Sequence, residues 1–129
     1  MFNTERRKIL LVDDDNVQLA AIQKILEEEY EVYTADSGKK ALDFFYKRFV
    51  PALILLDILM PEMDGWETFK RLKSISFLHG VPIAFLTSMH EETEKKHAQT
   101  IGAADFITKS FHKEDLLEKV RSIIAKYEK

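Results

Sequence analysis

A chain of 129 residues is one domain's length and enough for a real core, and 46% hydrophobic with 32% charged residues is ordinary for a globular protein. The formal net charge of −3 argues against a broad nucleic-acid surface. The absence of cysteine excludes disulfides and thiolate metal sites, and no apolar run nears the roughly 20 residues of a membrane span. The start, Met1 to Lys8, is polar and lacks the apolar stretch of a signal peptide. The expectation is a single cytoplasmic domain over residues 1–129, with no membrane and no direct nucleic-acid contact.

Ile9-Leu10-Leu11-Val12 is a short apolar run that reads as a first buried strand, broken by Asp13-Asp14-Asp15-Asn16. Asp15 with Gln18 suits a helix start, and Val17, Ala21, Ile22, Ile25 and Leu26 mark an apolar face on a helix ending near Glu29. Tyr30 to Thr34 alternates weakly and predicts a second strand near an edge. Ser37-Gly38 opens a second helix with Ala41, Leu42, Phe45 and Phe49 inward, stopped by Pro51. Leu53-Ile54-Leu55-Leu56 then runs straight into Asp57 and a Pro- and Gly-punctuated loop, the pattern of a strand buried on both faces. Asp64 and Glu67 open a third helix carrying Trp66, Phe69, Leu72 and Ile75. Pro82 to Leu86 is the fourth strand. The helix over 91–102 has only Ala98 and Ile101 as clear apolar anchors and is expected to be weakly held. Ala104 to Thr108 is the fifth strand, and Leu116, Leu117, Val120, Ile123, Ile124 and Tyr127 mark the last helix.

Strict strand–helix alternation calls for an α/β fold with a doubly wound parallel sheet, because each crossover is right-handed. The expected order, 2-1-3-4-5, sets the ends of the first and third strands side by side at the switch point. Asp13 and Asp14 close the first strand, Asp57 the third, Thr87 the fourth and Lys109 the fifth. Carboxylates about 4 Å apart repel by roughly 4 kcal/mol per pair in an effective dielectric of 20. Folding does not require such a cluster, whereas a hard divalent cation on all-oxygen ligands, Mg²⁺ or Mn²⁺, would offset it. With Lys109 and the Thr87 hydroxyl, that set fits a phosphoryl group arriving at Asp57 to give an aspartyl phosphate.

The acidic cluster, Asp57 in Leu-Leu-Asp-Ile-Leu-Met-Pro-Glu-Met-Asp-Gly, Thr87-Ser88 and Lys109 together resemble a response-regulator receiver domain over nearly the whole chain. The flavodoxin-like strand order above is also that family's own. The resemblance implies Asp57 as phosphoacceptor. It implies Asp14 as a direct Mg²⁺ ligand, Asp13 as one through water, and the Leu59 backbone carbonyl as a further one. Lys109 would bridge to the phosphoryl group, Thr87 would be the switch hydroxyl, and Phe106 would stand at the aromatic switch position. The phosphodonor would be a sensor histidine kinase or histidine phosphotransfer protein. The readout would be the face formed by the fourth helix, fifth strand and fifth helix. With no output domain after Tyr127, a partner protein would read it unless this chain is a piece cut from a longer one, the chain being a monomer or a weak phosphorylation-dependent dimer.

Three positions depart from the family pattern. Ser110 stands where proline usually follows the lysine, and a cis bond before a non-proline costs about 3–4 kcal/mol, so a trans bond and an altered loop are expected. Phe106 lacks a tyrosine's hydroxyl, and Ala52 replaces a polar residue. Trp66 is expected to be half-buried against the third helix, near enough to the acids to report metal binding. The alternatives are a haloacid-dehalogenase-type phosphohydrolase, since Asp13-Asp14-Asp15 also satisfies Asp-x-Asp, or a degenerate receiver that acts only as an interaction module.

Overall fold

The computed structural model describes residues 5–128. Five strands, β1 (Lys8–Val12), β2 (Glu31–Ala35), β3 (Leu53–Leu56), β4 (Ile83–Thr87) and β5 (Phe106–Thr108), alternate with five helices. The helices are α1 (Asn16–Leu26), α2 (Gly38–Asp43), α3 (Gly65–Lys73), α4 (Glu92–Thr100) and α5 (Lys113–Tyr127). All strand pairs are parallel and the order is β2-β1-β3-β4-β5, as the alternation and the resemblance predict. β2 is an edge, which explains its weakly patterned sequence. Among the described residues no helix is long and apolar enough to cross a membrane.

The two-residue period of the central strands sends alternate side chains to opposite faces. Ile9, Leu11, Leu53, Leu55, Ala84, Leu86 and Ile107 pack against α1 and α5. Leu10, Val12, Ile54, Leu56, Ile83 and Phe85 pack against α2, α3 and α4. β3 is buried along its whole length, as its unbroken apolar run requires.

The helix starts hold. Asp15 accepts hydrogen bonds from the Val17 and Gln18 amides, Ser37 from Lys40 and Asp64 from Glu67. The elements differ from expectation in three places. On α1 the buried residues are Leu19, Ile22 and Leu26, while Val17 is 79% exposed and Ala21 is also outside. Two adjacent stripes of α1 satisfy helical spacing, and the sheet beneath selects the one that begins at Leu19. Helix α2 is only six residues long. The bulky run from Phe44 tightens into a 3-10 turn, Phe44–Lys47, and Arg48 ends it in the left-handed region at φ 56. Tyr127 is exposed at the end of α5, beyond the sheet's support.

Candidate functional site

The register of the central strands carries the site. Val12 pairs with Leu56 and Thr87 with Thr108, so Asp13, Asp57 and Lys109 each leave the sheet at the same carboxyl edge. The backbone continues the ladder one step, with the Asp57 amide donating to the Val12 carbonyl at 3.0 Å and the Lys109 amide to the Thr87 carbonyl at 2.9 Å. Carboxylate oxygens of Asp13, Asp14 and Asp57 consequently lie within 4.8 Å of one another. Residues 44 apart in sequence are brought into one corner by sheet register alone.

Each carboxylate has a distinct setting. Asp57 is buried; one oxygen accepts from the Ile58 amide at 2.7 Å and the other from Lys109 Nζ at 2.8 Å. Asp13 is also buried, held by the Asp15 amide at 3.0 Å and by Lys109 Nζ at 2.6 Å. Asp14 is exposed at the mouth. Burial pushes the Asp13 carboxyl above its ordinary range, the Lys109 bond and the Asp15 amide only partly opposing it. Lys109 loses hydration on burial, yet its two carboxylate partners together outweigh that and hold its ammonium above the ordinary lysine range. Lys109 is thus a charged bridge. No peptide bond among the described residues is cis, as Ser110 predicts, and the trans loop still delivers Lys109 to both acids.

Donor chemistry fits a hard divalent cation: oxygens only, two of the three carboxylates fixed by backbone amides, and the third open to solvent. Beside Asp14 is a crevice of about 490 Å³ lined also by Leu59, Met89 and Trp66 among others. Leu59 is exposed on its rim, two residues beyond Asp57. Thr87 is fully buried and its hydroxyl accepts from the Met89 amide at 3.3 Å. Accepting that amide leaves the hydroxyl's own O–H free to donate. Phe106 is half-buried on β5, its ring 6.3 Å from Phe85.

Two features escaped sequence reasoning. Gly65 has no room for a side chain: a Cβ there would lie 2.2 Å from the Asp57 carbonyl oxygen and 2.6 Å from Ile58 Cα. Its amide donates to the Ile58 carbonyl at 2.8 Å, which folds the loop back onto the strand end. The Asp64-Gly65 pair is the signal that marks this approach. The second is Trp66, which belongs to α3 itself and packs against Phe85 of β4 and His97 of α4 rather than against the third helix. A single exposed histidine in a polar helix carries no sequence cue to that contact.

Comparison with known proteins agrees with this geometry. The family model "Response regulator receiver domain" matches residues 9–121. The chain belongs to the response regulator receiver domain family. It is 34% identical over 119 residues to "Chemotaxis protein CheY" of Halobacterium salinarum, covering 92% of this chain and 97% of that protein. It is 36% identical over 130 residues to "Probable transcriptional regulator ycf27" of Porphyra purpurea, covering 97% of this chain and 50% of that protein. The chain therefore spans about half the length of the curated transcriptional regulators it matches. Among solved structures, the CheY4 chemotaxis protein of Vibrio cholerae superimposes with a TM-score of 0.83 at 32% identity, over 92% of this chain and 98% of that one. The receiver family is one of phosphoacceptors served by phosphodonor kinases, with an acidic cluster of the kind seen here. Relatives named as transcriptional regulators lend no support to the expectation that nucleic acid plays no part.

Proposed function

We propose that Asp57 accepts a phosphoryl group from a phosphohistidine of a sensor histidine kinase or histidine phosphotransfer protein. The observation that carries this is the Asp57 carboxylate, buried at a strand end and bridged by Lys109 to Asp13, with Asp14 beside it at the solvent boundary. An Asp57 oxygen forms the new P–O bond as the donor's P–N bond breaks, and the imidazole leaves with the electron pair and takes a proton from solvent. Lys109 turns its ammonium to the phosphoryl oxygens, neutralising charge that Asp57 can no longer carry. Asp13, Asp14, Asp57 and the Leu59 carbonyl would hold Mg²⁺, or Mn²⁺ in its place. That ion supplies charge neutralisation for the incoming phosphoryl oxygens. The Thr87 hydroxyl donates to a phosphoryl oxygen, and Phe106 and the α4–β5–α5 face respond.

Hydrolysis is slow and returns the resting state: water adds at phosphorus, the P–O bond to Asp57 breaks and inorganic phosphate leaves. The domain is thus a phosphoacceptor and not a turnover enzyme for a free metabolite. In the dehalogenase-type alternative Glu114 and Asp115 would have to supply an acidic pair, but both are exposed in the first turn of α5. We read residues 1–129 as a single cytoplasmic receiver domain, monomeric or weakly dimerising on phosphorylation, whose net charge of −3 suits a downstream protein better than direct contact with nucleic acid.

Incubation with acetyl phosphate and Mg²⁺, followed by intact mass, tests the assignment. One added phosphate is expected, absent without Mg²⁺ and absent in Asp57→Ala. Labelling that survives Asp57→Ala would overturn it.

A further inference from the structure

Trp66, the chain's one tryptophan, sits at a boundary between two concavities. It lines the crevice beside Asp14 with Leu59 and Met89, and it lines a groove of about 720 Å³ between α3 and α4 with His97 and Ile101. Its ring centre is 4.8 Å from that of Phe85, which is fully buried on β4, and 4.5 Å from that of His97, edge to face at 69°. Helix α4 has few other anchors: Ala98 is its one buried residue, and Glu91 provides no side-chain cap at its start. An aromatic contact is therefore a sizeable part of what docks this helix.

We propose that the Trp66–His97 contact is a latch that holds α4 in its resting position and so opposes phosphoryl uptake at Asp57. The proposal rests on the phosphoacceptor reading. A phosphoryl group draws in Thr87, whose hydroxyl now holds the Met89 amide, and the chain from Met89 leads within three residues into α4. A contact made only in the resting arrangement stabilises that arrangement, and a ligand selecting the other one must work against it. The usual strength of an aromatic pair corresponds to about a twofold to tenfold bias. His97 is exposed and lies in no part of the acid site, so replacing it leaves the chemistry in place.

The test compares wild type, His97→Ala and His97→Phe by calorimetric titration with beryllofluoride in saturating Mg²⁺, and by the rate of phosphorylation from acetyl phosphate. His97→Ala is expected to bind beryllofluoride about twofold to tenfold more tightly and to be phosphorylated faster. His97→Phe, which keeps a ring against Trp66, returns both values to those of wild type. Unchanged or weaker binding in His97→Ala, or a gain that His97→Phe fails to reverse, would overturn the latch while leaving Asp57 as acceptor. If the wild type takes up neither beryllofluoride nor phosphate, the phosphoacceptor reading fails and the latch falls with it.

Discussion

Lys109→Met removes the cation that bridges Asp13 and Asp57 and keeps most of the apolar stem. Both carboxylates are buried and each bonds the ammonium at under 3 Å, so the variant leaves two unneutralised charges close together. Breaking a buried pair this way costs about 3–5 kcal/mol; Lys109 is only partly buried and Asp14 opens to water, which reduces the expected loss to about 2–3 kcal/mol. For a domain of this size each kcal/mol moves Tm by about 3–5 °C, so the metal-free midpoint falls by roughly 6–15 °C. Mg²⁺ acts in the opposite direction. The three carboxylates and Lys109 together carry −2; without the lysine they carry −3, and affinity for the ion should rise about tenfold. At a concentration ten times the wild-type Kd, the ion stabilises wild type by about 1.4 kcal/mol and the variant by about 2.7 kcal/mol. Thermal unfolding followed by circular dichroism, with and without Mg²⁺, reads both quantities, and acetyl phosphate labelling should slow in the same variant. A metal-free Tm equal to wild type, or Mg²⁺ stabilising the variant no more than wild type, would refute this account of the cluster.

Gly65→Ala should cost about 2–3 kcal/mol, because the added Cβ meets the backbone of Asp57 and Ile58 and no flexible side chain can give way; it should also slow labelling by displacing the acceptor. Chemical denaturation gives the first effect, and a variant as stable as wild type would show that the loop approaches the strand less closely. Mg²⁺ binding should weaken from pH 7 toward pH 5 more steeply than an ordinary carboxylate site would. Burial raises the Asp13 carboxyl, so the fold holds its proton above the usual carboxyl range near 4, and the ion must displace it. The sign for stability is the reverse: Asp13 adds to metal-free stability at low pH, and that contribution is lost as pH rises through its folded value. Equal Mg²⁺ affinity at pH 5 and pH 7 would contradict a raised Asp13 carboxyl.

Period and punctuation settled the local structure of this chain. An unbroken apolar run ending in Asp57 can be satisfied only by a strand covered on both faces, and Asp15, Ser37 and Asp64 start helices through bonds to amides two or three residues on. These are short-range constraints and can be read residue by residue. The meeting of Asp13, Asp57 and Lys109 was legible only through strand order, and that order came with the family resemblance as much as with the alternation. Where two solutions were locally equivalent, packing decided. Val17 and Leu19 head equally good helical stripes, and only the face offered by Ile9 and Leu11 selects Leu19. Trp66 beside His97, and Gly65 against the Asp57 carbonyl, depend on how α3 and α4 settle on β4 and on the end of β3, distances that no pattern along one segment encodes.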